Sequence, residues 1–192
     1  MNRVFDFITQ ATEEEKLMFA SDINTLILDM YYARYWKEDV WSYERSGHNL
    51  ALEVNQLRGN SVLDVGCGNN LFKDHIYYLH GIDVFNEKAD QITTLAQFQA
   101  DNPEVQYDVV LALDSINTGK KADILYSFDQ LDKLTKPGGH QFWRVNTTPP
   151  TSSFPLLGLV EFFEWDEKFI NELADCNGYQ VKELCEEKNK DG

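Results

Sequence analysis

The sequence predicts a doubly wound α/β fold, in which a mostly parallel sheet carries helices on both faces. Three observations favour this fold. Short apolar runs that are typical of buried parallel strands alternate with segments of helical periodicity. One such run, residues 61–65, leads into a glycine-rich turn, and the most strand-like run, residues 107–115, follows later. Strands that alternate with helices form parallel sheets through right-handed crossovers, so these features predict one architecture.

The chain length and the N-terminal pattern predict how the domain is organised. The 192 residues fit a single domain, with an N-terminal helical cap at residues 1–47 and a core at residues 48–192. Apolar residues three and four positions apart predict a helix or a helical pair over residues 11–36. A further helix is predicted in the second half of residues 41–60. It ends near Gly59, because glycine commonly follows the last helical turn.

The core is predicted to alternate strands with helices. Strands are expected at residues 61–65, 79–85, 90–98, 107–115, 140–146 and 179–185, and helices at residues 69–78, 121–135 and 165–178. The last helix has Asp166 near its N-cap and Gly178 just past its end. Residues 147–158 are rich in proline, serine and threonine and are predicted to form a loop.

Composition disfavours several classes of function. A formal net charge of −15 repels phosphate backbones and disfavours nucleic acid as a partner. No apolar stretch is long enough to span a bilayer, and the N-terminus lacks the pattern of a signal peptide, so we expect no membrane and a cytoplasmic location. The three cysteines and four histidines are scattered, which predicts neither a disulfide framework nor a metal site.

The segment SVLDVGCGNN, residues 61–70, carries the functional argument. Gly66 and Gly68 remove side chains where a ligand must lie against the backbone. The third glycine of the dinucleotide fingerprint is replaced by Leu71, which disfavours a nicotinamide-dependent oxidoreductase. Asp83 follows Asp64 by about twenty residues, at the end of the next predicted strand. An acid at that spacing is placed to accept the ribose hydroxyls of an adenosine ligand.

These segments resemble the class I S-adenosylmethionine-dependent methyltransferases. LDVGCG at residues 63–68 resembles motif I of that family, and GID at residues 81–83 resembles its ribose-binding segment. YDVVLALDSIN at residues 107–117 is similar to its fourth strand, and LTKPGGHQFWRVN at residues 134–146 to its fifth. The resemblance spans residues 48–185 and implies S-adenosylmethionine (SAM) as the cofactor.

The resemblance also implies a role for each matched position. Asp64 would orient the methionine amino group of the cofactor, and Asp83 would hold the ribose hydroxyls. The other matched residues would line the cofactor: Gly66, Cys67 and Gly68 on the methionine and ribose side, Val84 or Phe85 over one face of adenine, and Leu113 and Asp114 beside the amino acid moiety and the reactive methyl group.

The sequence departs from the family pattern in three places, the first of which is a segment between Asp83 and Tyr107 that is short for a full helix plus strand. The family usually has an acid after the third strand that pairs with the adenine amino group, and neither Gln97 nor Asp101 matches it. The family sheet also ends in a hairpin of a sixth and a seventh strand, whereas this sequence ends at EEKNKDG. We therefore expect a sheet whose last strand is either absent or supplied from elsewhere.

Residues around the predicted cofactor site leave two questions open. The aromatic segment YYARYW, residues 31–36, is interpreted as packing of the N-terminal helix on the sheet, with a lid over the methionine end as the alternative. Arg45 or His48 could meet the cofactor carboxylate. Cys67 has no visible partner base and is interpreted as a small filler between glycines.

The resulting hypothesis is a SAM-dependent methyltransferase that acts on a small molecule or a protein side chain. The residues after the fourth strand, Asp114–Asn117, do not match the motif of enzymes that methylate amino groups in DNA, and no convincing general base is present. Neither the acceptor nor the oligomeric state follows from the sequence. The alternative from another class is a catalytically silent cofactor-binding or interaction subunit.

Overall fold

A computed structural model describes residues 10, 12, 24, 26–28, 30–31, 48–57, 61–149 and 154–185 of the chain. The described residues between 24 and 31 have helical backbone, as the sequence predicts for this segment. Thr12 has no regular structure, and the remaining residues of the predicted helix over residues 11–36 lie outside the described residues, as do Arg45 and the side chain of His48. Among the described residues, no helix is long and apolar enough to traverse a bilayer.

The core alternates strands and helices in the predicted order. Its elements are α1 (His48–Gln56), β1 (Val62–Val65), β2 (Leu79–Asp83), β3 (Gln91–Ile92), α2 (Leu95–Asp101), β4 (Tyr107–Leu113), α3 (Lys121–Leu134), β5 (Thr135–Arg144), a 3₁₀ helix (Pro155–Leu159) and α4 (Glu167–Cys176). Predicted and observed boundaries agree within a few residues for β1, β2, β4, α3 and α4.

The five strands form one parallel sheet in the order β3-β2-β1-β4-β5. All four residues of β1 are buried, and so are Val109 to Ala112 of β4, which explains why these two strands appear in the sequence as continuous apolar runs. The strand order reverses between β1 and β4. In a doubly wound sheet, the loops that leave the carboxyl ends of two such strands diverge and open a crevice between them.

Helices cover both faces of the sheet, as the sequence predicts. On one face, Leu63 and Val65 of β1 pack with Phe98 of α2, Phe128 of α3 and Leu173 of α4. The other face packs against α1, and its cluster contains Ala51, Val54, Val62, Leu79, Val109 and Leu111. The two clusters together bury the sheet on both sides and hold the carboxyl ends of the strands in fixed positions.

The prediction of a helix at residues 69–78 was wrong, because this segment is a series of turns. Asn70 and Tyr78 both have a φ of 56°, a left-handed conformation that interrupts a helix. The side-chain amide of Asn70 donates to the backbone carbonyl of Lys88 at 3.1 Å, and the side-chain amide of Asn86 donates to Oδ1 of Asn69 at 3.0 Å. Side-chain bonds to the next loop thus take the place of helical backbone bonds.

The predicted strand at residues 90–98 was mostly wrong. Only Gln91 and Ile92 pair with β2, and α2 begins at Leu95. The side-chain oxygen of Thr94 accepts from the backbone nitrogen of Gln97 at 3.1 Å, which is an N-cap and fixes the start of a helix. This local bond decides the structure because the segment has too few apolar residues for a buried strand.

The prediction of a strand at residues 179–185 was also wrong, since this segment has no regular structure. Tyr179 is held through its side chain. Its ring packs edge-on against Phe128, and its hydroxyl donates to Asp132 at 2.7 Å and accepts from Gln141 at 2.9 Å. Among the described residues, β5 pairs only with β4, so the expectation of a sheet without its last strand agrees with the five observed strands.

Candidate functional site

Side-chain alternation brings four residues together on the α1 face of the sheet, at its carboxyl edge. They are Asp64 on β1, Asp83 on β2, Leu113 on β4 and Arg144 on β5. Two or four positions earlier, the same strands carry residues that pack in the α1 cluster, namely Val62, Leu79, Leu111 and Phe142. Because side chains of a strand alternate between the faces, the two sets lie on one side of the sheet.

Asp64 is a buried carboxyl group at the switch point of the sheet, with only 3% of its surface exposed. Its pKa is raised to about 7, chiefly by burial and also by the neighbouring Asp83 carboxylate, while Arg144 opposes both effects. None of the described residues donates a hydrogen bond to this carboxyl group. A buried acid without donors is stabilised by a positive charge, so Asp64 is suited to a cationic ligand.

The turn after β1 lies close against the loop that follows β4. Gly66 has a φ of +71°, and a Cβ atom at this position would lie 2.5 Å from the Cβ of Ser115. Its backbone nitrogen donates to the Ile82 carbonyl at 2.8 Å, while its outer side is exposed at the crevice. Glycine is therefore required here by both conformation and space, and the exposed backbone is open to a ligand.

Cys67 faces the interior and not the crevice. A Cβ atom on Gly81 of β2 would lie 2.9 Å from its Sγ atom, which shows that the thiol packs over that glycine. Burial raises the pKa of the thiol far above its ordinary value, and the carboxylates of Asp64 and Asp83 raise it further. The geometry supports the interpretation of Cys67 as a filler, and only its backbone lies along the turn.

Asp83 accepts three backbone hydrogen bonds, one from the glycine turn and two from the loop that follows β2. Its Oδ2 accepts from the nitrogen of Gly68 at 3.0 Å, and its Oδ1 accepts from Phe85 at 2.8 Å and from Asn86 at 2.9 Å. A carboxylate has about four acceptor positions, so roughly one remains, and it is on Oδ2. Val84 is exposed and Phe85 is half-buried beside this group.

Asp114 and Arg144 form an ion pair across the ends of β4 and β5, which the sequence did not predict. The Oδ2 atom of Asp114 accepts from Nε of Arg144 at 2.7 Å and lies 2.6 Å from Nη2. Asp114 has a φ of 62°, and its backbone nitrogen donates to the Arg144 carbonyl at 2.9 Å. Leu113, one residue earlier, is half-buried against the α1 cluster. The pair leaves Asp114 poorly suited to act as a general base.

Asn117 closes the β4 and β5 side of the crevice. It is 3% exposed, and its side-chain oxygen accepts from the nitrogen of Asn146 at 3.0 Å. Its backbone carbonyl accepts from Phe163 at 2.9 Å, and Gly119 donates to Glu161 at 2.7 Å. The segment at residues 161–165 therefore crosses the carboxyl ends of these strands and bounds the crevice.

The described part of the N-terminal helix packs against residues 154–160, beyond the carboxyl edge of the sheet. Ile27 is fully buried there, and the rings of Tyr31 and Phe154 stack with centroids 6.1 Å apart. Phe162 packs against the same cluster. Tyr31 thus packs against the segment that follows β5, and residues 32–36 lie outside the described residues, so the choice between a packed helix and a lid stays a prediction.

Two other expectations concern adenine and metal ions. Gln97 and Asp101 hydrogen-bond to each other on the surface of α2 at 2.7 Å, which does not identify either as the residue that pairs with adenine. Within the described ranges, no three histidine, cysteine or acidic side chains are grouped in a way that could hold a metal ion.

Comparisons with known proteins establish the fold. No family model matches the sequence, and no curated protein matches it. Among solved structures, the N-methyltransferase NodS from Bradyrhizobium japonicum WM9, in complex with S-adenosyl-L-homocysteine (SAH), matches with a TM-score of 0.55 and 18% identity, over 79% of this chain and 85% of that chain.

Two further structures match with a TM-score of 0.50. Magnesium protoporphyrin IX methyltransferase (ChlM) from Synechocystis PCC 6803, with bound SAM, is 15% identical over 91% of this chain and 90% of that chain. An O-methyltransferase family protein from Burkholderia thailandensis is 14% identical, over 91% of this chain and 59% of that chain. At these identities the similarity concerns the fold, and the chain has the Rossmann-like fold of class I methyltransferases.

Proposed function

We propose that the chain is a SAM-dependent methyltransferase that acts on a small molecule or a protein side chain. The observation that carries the proposal is Asp64, a buried acid at the switch point to which no described residue donates a hydrogen bond. SAM carries positive charge on its amino group and on its sulfonium, and either charge would compensate a carboxylate there. The bound SAH of NodS and the bound SAM of ChlM support the same cofactor.

The residues at the crevice fit the parts of SAM. Asp64 would bind the methionine amino group, and the exposed backbone of Gly66 would lie along the amino acid moiety. The free acceptor position on Oδ2 of Asp83 would accept one ribose hydroxyl, since backbone nitrogens occupy the other positions. Val84 and Phe85 would cover adenine, and Leu113 would flank the methyl end.

Methyl transfer requires the side chains mainly to position the cofactor and the acceptor. When bound, SAM supplies a methyl group on a sulfonium, which an acceptor removes by in-line displacement. The protein contributes by holding the cofactor rigidly and by excluding water. Asp114 is engaged by Arg144, so we assign no general base, and we expect acceptors that are already nucleophilic at neutral pH.

The acceptor class is inferred from charge and from the segments that bound the crevice. A net charge of −15 disfavours nucleic acid. Backbone bonds between Asn117 and Phe163 and between Gly119 and Glu161 bound the crevice on the β4 and β5 side. A bounded cleft of this kind suits a compact organic acceptor or a single protein side chain more than a polyanion.

A methyl-transfer assay tests the proposal. The purified chain is incubated with SAM that carries a tritiated methyl group, together with pools of small amines, phenols and carboxylic acids and, separately, with cell protein. We expect label to move to at least one pool and transfer to fall strongly in Asp83→Asn, but not in Asp129→Asn, which alters an exposed residue of α3. Binding of SAM without transfer to any pool would contradict an enzyme and favour the silent cofactor-binding subunit.

A further inference from the structure

We propose that cofactor binding expels a proton from Asp64, so that the crevice is loaded by exchanging a buried proton for the cationic amino group of the ligand. This inference rests on the proposed function and concerns how the same site is regulated. It predicts that affinity for SAM and for SAH depends on pH, and that both ligands release a proton when they bind.

The two other acids at the carboxyl edge already have partners for their negative charge. Asp83 accepts three backbone hydrogen bonds, from Gly68, Phe85 and Asn86. Asp114 accepts a hydrogen bond from Nε of Arg144 and forms an ion pair with its Nη2. Hydrogen bonds of these kinds stabilise a carboxylate, so both groups have donors within the structure and need none from a ligand.

Asp64 differs from these acids in its burial and in the lack of hydrogen-bond donors among the described residues. Its neighbours on the paired strands are Gly81 on β2 and Leu111 on β4, neither of which carries a charge. The described side chains of α1 that pack on this face are apolar. None of the described residues donates a hydrogen bond to a carboxylate in these surroundings, so burial favours the protonated form while the crevice is empty.

The charged and titratable groups that face Asp64 do not reverse this preference. Asp83, on β2, raises the pKa of Asp64 by repulsion, and Arg144, on β5, lowers it by attraction. The guanidinium of Arg144 is directed at Asp114, which weakens its effect on Asp64. The Cys67 thiol stays neutral because burial raises its pKa. The net result is a pKa of about 7 for Asp64, so this group changes its protonation state near neutral pH.

Entry of the ligand changes this balance. The ammonium group of the amino acid moiety brings a positive charge to the buried carboxyl, which favours the carboxylate and releases the proton to solvent. SAM and SAH share this ammonium group, whereas 5′-methylthioadenosine lacks the whole amino acid moiety. A comparison of the three ligands therefore distinguishes the effect of the ammonium group on proton release from that of the adenosine group.

Isothermal titration calorimetry in buffers of different ionisation enthalpy measures the released protons directly. At pH 6.5 we expect roughly 0.8 proton to be released per SAM or SAH bound, and none with 5′-methylthioadenosine. Between pH 5 and 6, below the pKa of the empty site, the apparent Kd is expected to fall about tenfold and then to level off above pH 7.5. Asp64→Asn is expected to abolish both effects, while Asp129→Asn leaves them unchanged.

The outcomes separate this inference from the proposed function. SAM binding by the wild type with no proton release and no pH dependence would overturn the exchange of proton for ligand and leave a SAM-binding site in place. Failure of the wild type to bind SAM would overturn the proposed function and the inference with it. The comparison among the three ligands needs no variant, so it decides the matter even if Asp64→Asn does not fold.

Discussion

The Oδ2 atom of Asp83, at the end of β2, accepts a hydrogen bond from the backbone nitrogen of Gly68 at 3.0 Å. This bond fastens the glycine turn after β1 to the neighbouring strand. The acid that the sequence predicts for ribose binding thus also shapes the turn against which the cofactor would lie. One side chain serves both the fold and the ligand, and its substitution is expected to affect both.

Asp83→Asn tests this double role. The amide replaces one carboxylate oxygen with a donor, which opposes the backbone nitrogens of Gly68 or of Phe85 and Asn86. We expect the free energy of unfolding in urea to fall by about 1–3 kcal/mol and SAM binding to weaken by an order of magnitude or more. Unchanged stability and binding would mean that these bonds do not hold the turn.

Gly66→Ala tests the close approach of the two loops. The new Cβ atom would lie 2.5 Å from the Cβ of Ser115 and would sit on a backbone with a φ of +71°. Gly138→Ala is the matched control, because its φ is +77° and no atom lies within 4 Å of an added Cβ. We expect roughly 1 kcal/mol of destabilisation for the control and at least 1 kcal/mol more for Gly66→Ala.

Ser115→Gly in the Gly66→Ala background separates the two causes. Removal of the Ser115 side chain eliminates the contact but leaves the left-handed backbone of residue 66. Urea unfolding of the double variant should therefore return to the level of Gly138→Ala. Equal destabilisation of Gly66→Ala and Gly138→Ala at the outset would show that backbone conformation alone accounts for the glycine.

Asp64→Asn is expected to change how the stability of the ligand-free chain depends on pH. The pKa of Asp64 rises from 3.8 to about 7 in the folded chain, chiefly because of burial. The stability that this acid contributes is fully present below pH 3.8 and is lost as the pH rises to about 7, by roughly 4 kcal/mol in all. Asparagine stays neutral throughout.

Thermal unfolding of both proteins between pH 4 and pH 8 measures this difference. The Tm of Asp64→Asn should move above that of the wild type as the pH increases, and the gap should stop growing above about pH 7. A gap that is constant across the range would contradict a raised pKa for Asp64 in the folded chain.

Arg144→Met tests the electrostatic link between the ends of β5 and β1. The guanidinium lowers the pKa of Asp64, so its loss should move the pH midpoint of SAM binding upward. Lys133→Met is the control, because it removes an ion pair with Asp129 at 2.6 Å that is exposed on α3. Calorimetric titrations across pH should show a shift only in Arg144→Met, and a midpoint that stays in place would exclude the link.

The parts of the fold that the sequence predicts well are those in which burial decides the structure. β1 and β4 are buried along most of their length, so their apolar runs are unambiguous. Residues 69–78 and 90–98 were mispredicted because side-chain bonds of Asn70 and Thr94 override weak apolar patterns. Bonds of this kind depend on a partner or a cap that periodicity does not reveal.

Some residues of the candidate site could likewise be predicted from the sequence, and others could not. The spacing of Asp64 and Asp83 near the ends of neighbouring strands was enough to place both at one edge of a parallel sheet, where the structure has them. Arg144 was missed because its pairing with Asp114 depends on the register of β4 against β5, in which Leu113 lies opposite Arg144. A basic residue at the end of a strand beside an acid-rich edge was the only available signal.

Calorimetric titration of the folded wild-type chain with SAM is the most direct measurement of whether the crevice is a cofactor site. We predict saturable binding of one SAM per chain with a Kd on the order of 1–10 μM, about −7 to −8 kcal/mol, and a clear loss of affinity in Asp83→Asn. No detectable binding by a chain that circular dichroism shows to be folded would contradict the assignment of Asp64 and Asp83 to the cofactor.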